Sequence, residues 1–272
     1  MDDALLSRGL AIALGALLSL GVASAAWAAK LLTRDGIVAA VVVGAAVFGF
    51  GGYGPAVLLV TFFATSGLLT RWRADRKSHP EHRRGRTSAQ VLANGGVVAV
   101  LSVWYALIPS PGLATAIAGA IAAATADTWA TEVGLLSASP PRLITTWQRV
   151  TPGASGGITA LGTLAGVVGA GLIAALGAVL IGAAWPGVWM AGAGAMVVDS
   201  VLGATIEGRI RGIGNNGVNL IATMVGAGLS LLIAACGGLT TPKLALIGLA
   251  LLVLSSWPFR KLIEQVVGPR RT

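Results

Sequence analysis

Ionisable side chains are scarce in this chain of 272 residues. Charged residues make up 11% of it, and there are two histidines and one cysteine. The shortage of charge excludes a soluble globular protein and a disordered chain, since soluble domains carry roughly 25% charged residues. The lone Cys236 excludes an intramolecular disulfide. His79 and His82 lie in one loop, away from the other polar clusters, which disfavours a zinc site and a Ser-His-Asp hydrolase.

Apolar residues and glycine are abundant instead. Hydrophobic residues make up 55% of the chain, with 39 glycines and a mean hydropathy of +0.83. These figures predict an all-α, polytopic integral membrane protein, because a membrane barrel would alternate apolar and polar residues. We expect a single membrane domain over residues 1–272 with about nine transmembrane helices, near residues 9–29, 36–51, 54–70, 90–108, 112–136, 157–183, 187–206, 217–237 and 243–259.

The basic residues predict the topology. The connection at residues 71–87 is the most basic stretch and the longest candidate for disorder, and we expect it to be cytoplasmic. Three spans precede it, so the N-terminus is expected outside and the C-terminus in the cytoplasm. All Lys and Arg residues except Arg8 and Lys243 then fall on the inner side. This clustering indicates contact with membrane lipids rather than nucleic acid, in a bacterial inner or plasma membrane.

Three acidic residues lie within or at the ends of apolar spans. Asp127 and Glu132 belong to a threonine-rich stretch of the fifth span, and Asp199 lies in the seventh. Carboxylates are costly in a membrane and usually face a cavity or a partner. Magnesium prefers oxygen ligands, so we predict Mg²⁺ on these three residues and a catalytic role for them. The alternative is a set of hydrogen bonds between packed helices.

A glycine-rich stretch that follows two arginines is a candidate phosphate site. Ser155, Gly156 and Gly157 precede the sixth span, and Arg142 and Arg149 lie shortly before them. Backbone N–H groups at a glycine-rich helix start favour an anion, and arginines add donors. The stretch lacks the Gly-Lys-Ser/Thr ending of a Walker A loop. The alternative is an ordinary helix-entry loop.

Further polar residues mark the inner ends of other spans. Lys30 lies between the first two spans, Asn94 opens the fourth, and Asn216 and Asn219 enter the eighth. Topology alone would explain Lys30. Because the inferred topology brings all these clusters to the inner side, we predict one site for nucleotide or phosphate there.

Six ordered motifs resemble those of the family named domain of unknown function 92, which includes transmembrane protein 19 and plant phytyl-phosphate kinase. The resemblance covers about residues 25–240. It rests on KLLTRDG at 30–36, QVLANGG at 90–96, ADTWATEVG at 126–134, SGGIT at 155–159, DSVLGAT at 199–205 and NNGVN at 215–219.

The resemblance implies a kinase that converts an isoprenoid monophosphate to the diphosphate with a nucleoside triphosphate, CTP or ATP. It implies nucleotide-phosphate contacts from the Ser155–Gly157 stretch and the amides. Asn215-Asn216 stand where relatives often carry Asp-Asn, so this motif supplies no carboxylate here. A transporter or lipid flippase that uses the same buried acids is the alternative, since glycine-rich broken helices also suit translocation.

Overall fold

A computed structural model describes residues 2–77 and 85–236. These described residues are mostly helical and include one short antiparallel hairpin. The helices are α1 (Asp2–Ala28), α2 (Arg34–Ala46), α3 (Tyr53–Arg71), α4 (Ser88–Leu107), α5 (Pro111–Gly134), α6 (Ala160–Ile181), α7 (Trp185–Thr205) and α8 (Asn215–Ala235), and the strands are β1 (Arg142–Leu143) and β2 (Gly157–Ile158).

Within residues 2–77 and 85–236, eight helices are long and apolar enough to cross a membrane. They coincide with the first eight predicted spans, so the prediction of an all-α, polytopic membrane protein is confirmed. The ninth predicted span, at residues 243–259, and the C-terminal tail lie outside the described residues. The inside or outside position of the termini stays a prediction.

Polar caps fix the start of three alternate helices. The hydroxyls of Thr33 and Thr159 each accept a hydrogen bond from the backbone N–H three residues further on, at 3.2 and 3.0 Å. Thr87 and Gln90 form a reciprocal capping box at the start of α4. Because alternate helices of an up-and-down bundle start at one end, α2, α4 and α6 begin at the same end of the molecule.

The short second span is completed by a π-helical turn. Residues Val47–Gly51 continue α2 in this form, which gives a span of 18 residues from Arg34 to Gly51. Gly52 then turns the chain into α3 with a φ of +81°, which glycine adopts without strain. The ring of Phe48 in this turn packs against Gly15 of α1. The second and third spans therefore form the tight hairpin that their glycine content favours.

Helix α5 lies at the centre of the bundle. Every residue from Leu113 to Ala126 is buried. At its crossing with α8, a Cβ added to Gly226 would lie 2.6 Å from the Cβ of Ala123 and 2.7 Å from the carbonyl oxygen of Gly119. The two backbones are thus in direct contact, as small residues allow in membrane helices.

Parts of the basic connection between α3 and α4 are folded. Residues Ala74–Arg76 form a 3₁₀ turn, Lys77 is buried, and Arg86 pairs with Leu32 in a parallel β-bridge. The expectation of disorder is therefore wrong for residues 71–77 and 85–87. The reason is specific hydrogen bonding to the α1–α2 connection, α3 and α5, which composition does not show.

The two ends of the bundle differ in their content of basic residues. The connections after α1, α3, α5 and α7 lie at one end and carry Lys or Arg, whereas those at the opposite end, around residues 52, 108–110 and 182–184, carry none. Arg8 reaches that opposite end, where it donates to the carbonyl of Ala106 at 3.5 Å. This asymmetry is typical of a membrane protein whose basic end faces the cytoplasm.

The α5–α8 crossing yields a stability prediction. Gly226→Val should separate the two helices and lower stability by about 1–3 kcal/mol or more, because the added side chain has no space. Gly228→Val on the same helix is the matched control, since a Cβ there meets no heavy atom within 4 Å. Thermal unfolding of detergent-purified protein measures both, and equal melting temperatures would contradict the packing argument.

Candidate functional site

The basic end of the bundle contains a cavity of about 670 Å³. The C-terminal ends of α3, α5 and α7 and the N-terminal ends of α4, α6 and α8 line it, together with the connections that join them. The cavity brings together most of the residues that the sequence singles out: Lys30, Asn94, Asp127, Glu132, Ser155, Gly156, Gly157, Asp199 and Asn219. Arg142, Arg149 and Asn216 do not line it.

Two carboxyl groups from separate helices meet in this cavity. Asp127 of α5 and Asp199 of α7 lie close enough to interact directly, and the Glu207 carboxylate lies near enough to act electrostatically on both. In the amide orientation that satisfies its hydrogen bonds, Asn219 of α8 donates to Asp199 Oδ2 at 3.2 Å and to the carbonyl of Asn215 at 3.1 Å. Three helices therefore hold the carboxylate pair.

Asp127 and Asp199 alone fit a magnesium ion better than the predicted set, which also includes Glu132. Within residues 2–77 and 85–236, no group of three or more His, Cys, Asp or Glu side chains is arranged to hold a metal. Magnesium, however, is commonly held by one or two carboxylates and completes its shell with water and substrate phosphates. Asp127 and Asp199 supply such a pair of oxygen donors.

Glu132 belongs to a separate ion pair. Its Oε2 accepts a hydrogen bond from Lys77 Nζ at 2.7 Å and its Oε1 accepts one from the Thr70 hydroxyl at 2.6 Å. Lys77 Nζ also donates to the carbonyl of Leu69 at 2.5 Å. We therefore revise the prediction of Glu132 as a magnesium ligand: both of its oxygens are engaged by groups on α3 and the basic connection.

Arg86 is a cavity residue that the sequence assigned only to topology. Its guanidinium lies over the rings of Phe62 and Phe63, with centroid distances of 5.0 and 5.6 Å. Burial lowers the pKa of Arg86 to about 10, while the negative charges of Glu132 and Asp127 act in the opposite direction. Arg86 thus stays cationic at neutral pH. No local pattern distinguishes it from its basic neighbours, so sequence reasoning had no signal for it.

The backbone of Arg86 is fixed by the connection between α1 and α2. Its N–H donates to the carbonyl of Leu31 at 2.8 Å, and its carbonyl accepts from the backbone N–H and the hydroxyl of Thr33, both at 3.1 Å. Gly36 passes so close to the Arg86 carbonyl that a Cβ there would collide with it. The fold therefore holds the backbone of Arg86 in place.

The glycine-rich stretch forms a turn that leads into strand β2, not the start of a helix. Helix α6 begins at Ala160, after the cap Thr159. Gly156 has a φ of +76°, and a Cβ there would lie 2.5 Å from the Cβ of Ala204 on α7. The N–H of Gly157 donates to the carbonyl of Ala154 at 2.9 Å. Gly156 thus docks the hairpin on α7, and the N–H of Gly157 is already bonded.

The two arginines before this stretch point away from the cavity. Arg142 and Arg149 are exposed, and the Arg142 guanidinium donates to the carbonyl of Trp147 at 2.8 Å. Neither side chain lines the cavity in this conformation, and their contact with nucleotide phosphates stays a prediction.

The asparagines at the starts of α8 and α4 differ in whether they line the cavity. Asn215 and Asn219 line the cavity, whereas Asn216 faces elsewhere on the same helix. The residue that lines the cavity is therefore Asn215, one residue before the predicted Asn216. Asn94 lines the cavity, is buried and donates to the carbonyl of Gln90 at 2.9 Å.

A second, apolar cavity of about 130 Å³ adjoins the first. We call it the apolar groove. It lies among α1, α2, α3 and α4, and it shares Phe63, Arg86 and Asn94 with the polar cavity. The arrangement therefore joins a polar compartment at the end of the bundle to an apolar compartment between the spans.

The fold and the site define a class: a polytopic helical membrane protein with a polar cavity at its basic end. The chain is a member of the family described as integral membrane protein DUF92, whose model matches residues 17–227. No solved structure matches it.

Similar proteins occur in archaea, plants and cyanobacteria. The chain is 37% identical over 212 residues to an uncharacterized membrane protein of Methanocaldococcus jannaschii, covering 75% of this chain and 86% of that one. It is 30% identical over 216 residues to an uncharacterized membrane protein of Synechocystis, covering 76% and 84%. It is 33% identical over 189 residues to Protein PGR of Arabidopsis thaliana, covering 57% and 65%.

The buried ion pair yields a second stability prediction. Lys77→Met should destabilise the protein by about 3 kcal/mol, because it removes the cation nearest a buried carboxylate. Lys77→Met combined with Glu132→Gln should cost less than the sum of the single changes. A double-mutant cycle from thermal unfolding in detergent measures the coupling. Additive effects would show that the pair does not contribute to stability.

Proposed function

We propose that this protein is a membrane-embedded kinase that transfers a phosphoryl group from CTP or ATP to an isoprenoid monophosphate, giving the diphosphate. The observation that carries the proposal is the coexistence in one cavity of the Asp127–Asp199 pair with the basic residues Lys30, Arg71 and Arg86. The cavity volume lies in the usual range for small-molecule sites. On this proposal the protein lies in a bacterial plasma membrane, and its cavity opens to the cytoplasm.

The charge pattern of the cavity suits two phosphate-bearing ligands. Phosphoryl transfer depends on positioning and on neutralising charge at the equatorial oxygens, more than on covalent chemistry with the protein. Arg86 and Lys30 supply fixed positive charge, and the N-terminal ends of α4, α6 and α8 add the positive ends of three helix dipoles. Thr128, Thr131 and other hydroxyls around the cavity offer further hydrogen-bond donors.

The proposed reaction needs no strong general base. The acceptor monophosphate is already ionised, and one of its oxygens attacks the γ-phosphorus of the triphosphate. The bond from that phosphorus to the β–γ bridging oxygen breaks, and the nucleoside diphosphate leaves. Arg86, held by backbone bonds, is placed to pair with the acceptor phosphate, and Asn219 orients the Asp199 carboxylate.

Asp127 and Asp199 would hold magnesium in this proposal. The metal supplies neutralisation of the transferring phosphate oxygens when it is bound. Glu132 has a positioning role: its ion pair with Lys77 fixes the basic connection against α5, next to the cavity wall.

The packing of α5 favours an enzyme over a transporter. A carrier needs an alternating path past its central helix. Here α5 is buried without interruption from Leu113 to Ala126, and α8 contacts its backbone at Gly119. A rigid centre with the polar cavity at one end suits a site that is entered from that end and from the adjoining lipid.

Activity should depend on Asp127 and Arg86. Asp127→Asn and Arg86→Met should each lower the rate of diphosphate formation by about 10²-fold or more, because each removes charge aimed at the transferring phosphoryl group. Asp75→Asn and Arg149→Met are matched controls, since both residues are exposed outside the cavity. The assay incubates purified full-length protein with Mg²⁺, CTP or ATP and a panel of prenyl monophosphates, and mass spectrometry detects the diphosphate.

Two results would contradict the proposal. One is the absence of diphosphate from every nucleotide and prenyl monophosphate tested with folded protein. The other is nucleotide-independent movement of a labelled prenyl phosphate across proteoliposomes, abolished by Asp127→Asn, which would identify a flippase.

A further inference from the structure

The apolar groove runs along the helices from the basic end toward the opposite end. At its inner end it is lined by Leu32, Phe63 and Arg86. At its outer end it is lined by Phe48 of the π-helical turn and Ala56 of α3. Phe63 and Ala56 are seven residues apart on one helix, so the groove extends over about 10 Å of bilayer depth.

Arg86 is the point at which the groove meets the polar cavity. Its guanidinium contacts the rings of Phe62 and Phe63, which belong to the groove wall, and it also lines the polar cavity. The groove itself is otherwise almost wholly apolar, with Ser19 and Asn94 as the polar exceptions. A ligand that satisfies both compartments must carry an anionic group at one end and a hydrocarbon chain behind it.

Small residues lie on the walls of the groove, and an aromatic residue lies at its outer end. Ala40, Gly44 and Gly95 lie on its walls. At the far end the Phe48 ring is packed against Gly15, with 2.9 Å between the Phe48 Cβ and an ideal Cβ on that glycine. Phe48 therefore bounds the groove at its outer end.

We infer that the apolar groove binds the hydrocarbon tail of the isoprenoid monophosphate, with its phosphate at Arg86, and that Phe48 sets the length of tail accepted. This inference rests on the proposed function for the identity of the ligand. The occupant of the apolar groove is a single prenyl chain, because the groove leads away from the Arg86 guanidinium.

Substitutions in the groove should change substrate selection. Ala56→Phe should fill the outer groove and lower kcat/KM for farnesyl monophosphate relative to geranyl monophosphate by about tenfold or more, whereas Phe48→Ala should shift the same ratio toward longer chains. Ala64→Phe is the matched control, because Ala64 is exposed on the same helix outside the groove. Unchanged chain-length ratios in both groove variants would overturn the assignment.

Photolabelling tests the groove without requiring catalysis. Full-length protein in phosphatidylcholine nanodiscs is irradiated with farnesyl monophosphate that carries a diazirine at the distal end of its tail. We expect label on peptides that contain Phe48 or Ala56, and loss of this label in Ala56→Phe but not in Ala64→Phe. Label confined to α6–α8, or equal competition by phosphatidic acid, would overturn the inference.

The two experiments separate this inference from the proposed kinase activity. Groove labelling without diphosphate formation would support the tail site and count against the kinase. Diphosphate formation with labelling outside the groove and unchanged chain-length ratios would do the reverse.

Discussion

Close approach of helix backbones around α5 determines both the fold and the position of the site. A Cβ on Gly166 would lie 2.7 Å from the carbonyl oxygen of Ala126, and one on Gly192 would lie 2.9 Å from the Cβ of Ala122. Lipid gives apolar helices no hydrophobic reason to associate, so contacts of this kind hold the bundle together. One residue beyond Ala126 the packing gives way to the cavity, and Asp127 is the first residue of α5 that lines it.

The charged residues of the cavity are neutralised to different degrees. Glu132 is matched by Lys77, whereas Arg86 has aromatic rings beside it and is only electrostatically coupled to Glu132 and Asp127. A cation whose nearest contacts are apolar keeps its attraction for phosphate in a region of low dielectric constant. The same low dielectric constant would strengthen the attraction of the Asp127 and Asp199 carboxylates for a cation that lies between them and a phosphate.

The sequence was informative where the physical signal is local. Runs of apolar residues predict the spans, and alternation of direction alone predicts that Asp127 and Asp199 share one end of the bundle. It was uninformative where tertiary contacts decide. Arg149 and Arg86 are both basic residues in connections, yet Arg149 is exposed beside a β-bridge to Arg142, whereas Arg86 is bonded through its backbone to the α1–α2 connection and lines the cavity. Gly156 likewise suggested a phosphate loop, although its contact with α7 explains it.

The position of Arg86 connects local backbone geometry to the chemistry proposed here. Its guanidinium can serve both compartments because its carbonyl is held by Thr33 and its N–H by Leu31. That grip requires the connection between α1 and α2 to approach Arg86 without an intervening side chain, and Gly36 and Gly85 provide this. A cation held in place before a ligand arrives loses little entropy on binding and needs little reorganisation during reaction. The motif around residues 30–36 therefore acts through the backbone that positions Arg86, in addition to the charge of its own Lys30.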